Sequence, residues 1–258
     1  MKIGIIGAGF VGSAVKNAYD TYGVPVIVHD PAKGLASTWE ELKSCNGVFV
    51  CVPSPTLPTG ECDTSILKEV LVNLSGMAGV IISKVTAPPS VYASLHVLYP
   101  NLVHSPEFLV AATANEDYIH GLFGFVGGDE HYTKIAEEII RGGQRNIQDV
   151  KHCSIAEAAL AKYSINSFLA LKVSYMNQLY DMCQGSGINF SNIVTLLQAE
   201  KRLGNSHFHV PGSDGKRGFG GACFPKDTAA LHFEASRSDV DLSVLKSAID
   251  YNKLIRKD

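Results

Sequence analysis

No apolar run in this chain reaches membrane-spanning length, which argues against a transmembrane helix. There is no excess of positive charge either. The net charge is −3, so nothing advertises a nucleic-acid surface. The six cysteines form no CxxC pair and no cluster with histidine, which leaves no zinc or redox motif to read. They read instead as reduced, mostly buried thiols of a cytoplasmic protein. The opening MKIGIIGAGF runs straight into a strand–turn pattern and has no signal-peptide character. Internal repeats and low-complexity segments are missing too. What remains is an ordinary globular balance, 46% hydrophobic and 18% charged over 258 residues, enough for one large domain or two modest ones.

The first half alternates short apolar runs with helical stretches. Lys2–Ile6, Pro25–His29, Gly47–Val52, Gly79–Val85 and Phe123–Gly127 read as strands. Phe10–Tyr22, Thr64–Leu74 and Tyr132–Arg141 read as helices, with Asp63 placed to cap the second. Such alternation predicts a parallel sheet covered on both faces. The pattern changes near residue 150. Ser154 and Glu157 form a capping box that opens an uninterrupted helical run to about Gln184, with Gly185 and Gly187 as the stop. Helices are expected afterwards at Ser191–Glu200, Thr228–Ala235 and Ser243–Ile255. The expected architecture is α/β: a parallel-sheet domain over 1–150, then a smaller all-helical domain over 151–258 built around one long helix.

Gly7, Gly9 and Gly12 form GAGFVG directly after the first strand, opening a helix through Phe10 and Val11. Gly7 permits the tight turn, Gly9 lets backbone approach a pyrophosphate, and Gly12 lets helix and strand pack closely. Asp30 ends the second strand eighteen residues after Gly12 (30 − 12). A carboxylate there binds ribose hydroxyls and repels a 2′-phosphate, so the domain is expected to be Rossmann-type and to take NAD in preference to NADP. A glycine turn without a ligand is the alternative.

GFGGACFPKD, residues 218–227, is the other informative stretch. Crowded glycines let backbone approach a substrate. Pro225 suits an early helical position, which puts Cys223 at a helix N-cap, where partial positive charge favours a thiolate nucleophile. Asp227, four residues on, shares its helix face. A buried inert cysteine is the plainer reading. On the long helix, Lys162 and Asn166 lie four apart on one face and could clamp an oxyanion, although a solvated helix face is the commoner origin of such a pair.

These residues resemble the UDP-glucose/GDP-mannose dehydrogenase family, in order, over nearly the whole chain: GAGFVG (7–12), VPSPTLPTGECD (52–63), SKVTAPPS (83–90), SPEFL (105–109), EAALAKYSINSFLALKVSYMNQ (157–178), KRLGN (201–205) and GFGGACFPKD (218–227). The resemblance implies a two-step, NAD-dependent oxidation of a sugar-nucleotide alcohol, most simply UDP-glucose, to a carboxylate. Cys223 would attack the C6 aldehyde, giving a thiohemiacetal and then a thioester. Lys162 and Asn166 would stabilise the oxyanion, Asp227 would handle water or protons, Glu107 would serve as general base, and Thr86 would hold a water near the nicotinamide. Pro53 would join the glycine turn in binding cofactor. Phe108, Leu109, Phe219 and Gly220 would line the sugar-nucleotide pocket, and Arg202 would reach the substrate of a partner subunit in a homodimer formed along the long helix. Lys216 and Arg217 are further candidates for phosphate contact.

Two departures stand out. Where the family has an Arg-Glu pair after SPEFL, this chain has Val110-Ala111, which weakens the hydrolytic role expected of Glu107. The sequence also stops at Asp258, inside what reads as a connecting helix, so the resemblance covers the cofactor and central domains and not the third, nucleotide-holding domain expected of the family. A one-step hydroxyacid dehydrogenase and a non-catalytic cofactor-binding or assembly subunit are the competing readings. GFGGACFPKD argues against the first, and the intact set Cys223, Lys162, Asn166 and Asp227 argues against the second.

Overall fold

The computed structural model describes residues 1–110 and 112–257. The chain divides into two compact units. One holds residues 1–55 and 62–162, the other residues 56–61 and 163–258. The division falls inside the long helix, beyond the boundary at 150 expected from sequence.

In chain order the elements are β1 (Ile3–Ile6), α1 (Phe10–Thr21), β2 (Val26–Asp30), β3 (Leu35–Ala36), α2 (Trp39–Lys43), β4 (Gly47–Val50), α3 (Ser65–Asn73), β5 (Val80–Ser83), α4 (Pro89–Leu98), β6 (Leu102–His104), α5 (Ala114–Ile119), β7 (Phe123–Gly127), α6 (Glu130–Gly143), β8 (Asp149–Cys153), α7 (Ile155–Ser186), α8 (Phe190–Ala199), α9 (Phe224–Arg237) and α10 (Ser243–Ile255). Among the described residues the strands form one sheet in the order β3-β2-β1-β4-β5-β6-β7-β8. It is parallel except where β3 meets β2 and β7 meets β6. β1, β4 and β5 are buried at every position, as their unbroken apolar runs require of strands covered on both faces. One core packs β1, β4 and β5 side chains against α1, α5 and α6, around Tyr19, Phe49 and Tyr118. On the other face Leu67, Leu71 and Tyr92 of α3 and α4 join Leu42 of α2 and Ile155 and Ala159 at the start of α7.

The capping box forms as expected: the Ser154 N–H donates to Glu157 at 2.7 Å and the Glu157 N–H to Ser154 Oγ at 3.3 Å. Gly185, by contrast, lies within α7, and only Gly187, at φ +68°, stops it. Asp63 acts one position earlier than a cap. Thr64 is the N-cap of α3, and the Asp63 carboxylate accepts from the Ser65 N–H at 2.9 Å. The helical unit has its own smaller core of Met176, Cys183, Phe190, Val194 and Phe208.

Candidate active site

The α/β unit carries a groove of about 600 Å³ over the glycine turn. Of the expected residues, Gly7, Gly9, Phe10, Val11, Asp30 and Pro53 line it. Gly12 and Thr86 do not. Gly12 acts on packing instead, since a Cβ there would sit 1.9 Å from the Gly7 carbonyl oxygen. Gly7 takes φ +86°, which side chains rarely adopt. A Cβ on Gly9 would meet nothing of the protein within 4 Å, so the space against its backbone is open to a ligand. Gly9 also caps α1 with no side-chain acceptor, which leaves the first helical N–H groups facing that space. The Asp30 carboxylate accepts from the Ala8 N–H at 2.7 Å and is thereby fixed beside the turn. These features fit a dinucleotide with its pyrophosphate at the α1 N-terminus. Lys33 and Trp39 are among the groove residues that escaped the sequence reading. Lys33 donates to the Ala8 carbonyl, and Trp39 packs on His29 with ring centroids 4.6 Å apart. Thr86 lies half-buried after β5, its carbonyl accepting from Ser54 Oγ at 2.8 Å.

SPEFL follows β6 within the same unit. Glu107 is buried, and one of its carboxylate oxygens accepts from the Leu109 N–H at 2.7 Å. Lys162, also buried, donates to the Glu107 carbonyl at 2.5 Å and to its carboxylate at 3.2 Å. The ammonium lies 4.9 Å from the centre of the Phe108 ring, which itself packs on Phe123 and Phe125 at 5.3 Å each. Lys162 is thus engaged by protein acceptors rather than presented as an open clamp. Its partner is 55 residues away in sequence, which no local pattern reveals. Leu109 packs against the core beneath α1, α5 and α6. Ala111 lies outside the described residues, and Val110 is exposed.

In the helical unit Cys223 is the N-cap of α9, with Pro225 in the first turn, as the sequence predicts. The Asp227 N–H donates to the Cys223 carbonyl at 2.8 Å. Asp227 is 1% exposed. Its carboxylate accepts from Asn166 Nδ2 at 2.5 Å and from Lys226 Nζ at 2.6 Å. Asn166 and Lys226 together satisfy a charge that would be costly to bury alone. The glycines before Cys223 are clasped from two helices. Asn252 of α10 accepts from the Phe219 N–H at 2.7 Å and donates to its carbonyl at 2.9 Å, while Asn177 of α7 accepts from the Gly218 N–H at 3.2 Å. The Phe219 ring is buried, so at this point the loop can offer a ligand only backbone and Gly220. Arg202 is exposed and forked onto Glu200 by two bonds of 2.9 Å. Arg217 is spent on Asp181 at 2.7 Å and on Asn177, so it is not the spare phosphate ligand expected from sequence. Among the described residues no group of histidine, cysteine and carboxylate could hold a metal ion.

Residues 156–254 match the central domain of the UDP-glucose/GDP-mannose dehydrogenase family. The UDP-glucose 6-dehydrogenase of Rickettsia bellii is 29% identical over 247 residues, covering 91% of this chain and 55% of that protein. The chain therefore spans little more than half the length of that relative. Among solved structures, a UDP-glucose dehydrogenase from the archaeon Pyrobaculum islandicum superposes with a TM-score of 0.84 at 20% identity, covering 98% of this chain and 68% of the other. A 3-hydroxyisobutyrate dehydrogenase from Mycobacterium tuberculosis has the same fold, with a TM-score of 0.78 at 18% identity and 98% and 93% coverage. Over residues 156–254 the chain is thus similar to the central domain of the UDP-glucose/GDP-mannose dehydrogenase family.

Proposed function

We propose that this protein is an NAD-dependent oxidoreductase that carries a sugar-nucleotide primary alcohol, UDP-glucose or a close analogue, to the carboxylate in two steps. In this reading the groove of the α/β unit holds NAD, which accepts the hydride at each step. The observation that carries the reading is Cys223 at the N-terminus of α9, with buried Asp227 one turn on and Asn166 fixed to it. The thiolate adds to the aldehyde carbon, and the oxyanion formed is the charge that Lys162 and Asn166 stabilise. Loss of hydride from that adduct leaves a thioester. Glu107 then directs water onto the thioester, its carboxylate oriented by Lys162 at 3.2 Å. Asp227 orients water and moves protons beside the sulfur. Thr86 is the remaining polar residue of this reading, and Arg202 a contact to the partner's substrate.

Cys223→Ala is expected to abolish acid formation while NAD binding, followed by titration, stays within a factor of about two of wild type. Acid production at the wild-type rate by that variant would refute the covalent route. Asp30→Ala is expected to narrow the preference for NAD over NADP; equal kinetics with both cofactors in the wild type would contradict the role given to Asp30.

The protein is also proposed to form a homodimer along α7. Phe168, Tyr175 and Met182 recur every seven residues and are 68%, 62% and 65% exposed, an apolar stripe without cover in the single chain. A second reading, a one-step hydroxyacid dehydrogenase, is favoured by the 93% coverage of the 3-hydroxyisobutyrate dehydrogenase. It predicts one NADH per alcohol and turnover that survives Cys223→Ala.

A further inference from the structure

The chemistry proposed above leaves one buried lysine without a role. Lys84 follows β5 and is 6% exposed. Its backbone N–H donates to the Val50 carbonyl at 2.9 Å and its ammonium to Ser105 Oγ at 3.1 Å, with the centre of the Tyr118 ring 5.6 Å away. Among the described residues no carboxylate lies within ion-pair distance of it. The carboxylate that acts on it, Glu107, is bonded instead to Lys162. Burying an ammonium costs more than burying a methionine of similar length, so packing alone does not account for a lysine here.

What the ammonium holds is the start of SPEFL. Ser105 is 4% exposed and is tied twice to the end of β5: its N–H donates to the Ser83 carbonyl at 2.9 Å, and its hydroxyl accepts from Lys84. Two residues on, the Glu107 carboxylate accepts from the Leu109 N–H at 2.7 Å and from Lys162 at 3.2 Å. Lys84, Ser105 and Glu107 line one cavity, which belongs to the site already described. The backbone bond fixes where Ser105 sits beside β5. The ammonium fixes the side on which its hydroxyl lies, and so the path by which the chain reaches Glu107. A carboxylate that must aim one water at one carbon is sensitive to such a path, since misplacement by about 1 Å can slow a step by roughly a hundredfold.

We propose that Lys84 is a positioning residue for Glu107, acting through Ser105 to aim the carboxylate at the water that opens the thioester. The proposal rests on the two-step dehydrogenase reading. In that step water adds to the thioester carbonyl carbon and Glu107 takes its proton. The carbon–sulfur bond then breaks, which returns the Cys223 thiolate and releases the acid. Both hydride transfers precede this step and do not call on Lys84. The test is a single turnover by the full chain with saturating NAD, the enzyme in excess over UDP-glucose or whichever UDP- or GDP-sugar the wild type oxidises. NADH is followed by absorbance, acid release by chemical quench, and the acyl adduct on Cys223 by intact mass. In Lys84→Met, NADH should form within about twofold of the wild-type rate, while acid release slows at least roughly tenfold and the adduct accumulates. Ser105→Ala keeps the lysine but removes its acceptor; it should show the same split, and it serves if Lys84→Met does not fold. The double variant should release acid no more slowly than Lys84→Met alone, because both changes remove one contact. Acid release at the wild-type rate in the folded variants, NADH formation and acid release slowed together, or additive losses in the double variant would each overturn the role and leave the dehydrogenase reading standing. A wild type that forms no NADH from any of these sugars would overturn both.

Discussion

Burial holds the Lys84 ammonium down to about 8, the largest cause being desolvation. Below that value folded and unfolded chains are both protonated, and the folded state bears the whole cost. Between about 8 and the ordinary lysine value the unfolded chain binds more protons, so this residue makes stability rise with pH across that window. Lys84→Met is therefore expected to be more stable than wild type at pH 7, by about 2–3 kcal/mol, with the gap closing toward pH 10. Urea unfolding at the two pH values measures it. A variant less stable than wild type at pH 7 would contradict the net burial cost assigned to the Lys84 ammonium. Lys162 should behave in the opposite way. It is in direct contact with a carboxylate, and Lys162→Met should cost about 3–5 kcal/mol by removing the ion-pair partner of buried Glu107. Both lysines are visible in sequence, but nothing local marks which is paired. Glu107 comes from a strand end 55 residues from Lys162 in the chain.

At the scale of elements, sequence patterns serve where the determinants are local. The apolar strands β1, β4 and β5, the capping box of α7 and the Cys223 cap of α9 each follow from residues within one turn or one strand. Three strands escape such reading for identifiable reasons. β3 spans two residues, β6 spans three, and β8, DVKHC, is a polar edge strand whose burial alternates too weakly to register. The clasp on the cysteine loop is also illegible, because Asn252 reaches Phe219 across 33 residues. Its removal leaves two buried backbone groups without partners. Asn252→Ala is expected to destabilise the protein by about 1–3 kcal/mol and to quicken alkylation of Cys223 under native conditions. An unchanged alkylation rate would mean that the clasp does not hold the loop.

For the whole molecule, the apolar stripe of α7 predicts self-association. Phe168→Glu with Tyr175→Glu should convert a sedimenting dimer to monomers at micromolar concentration, and a monomeric wild type would refute the proposed interface. The family resemblance is legible in the amino-acid sequence because its motifs are spread over nearly the whole chain. The division within α7 is not, because the helix continues through it without any break in sequence. The central claim concerns chemistry, and its most direct test is a count. The full chain is incubated with NAD and UDP-glucose, or whichever UDP- or GDP-sugar it turns over, and NADH formed is measured against sugar consumed. The covalent two-step account predicts two NADH per sugar, with the acid as product and no free aldehyde. A ratio of one, or turnover confined to 3-hydroxy acids, would contradict it.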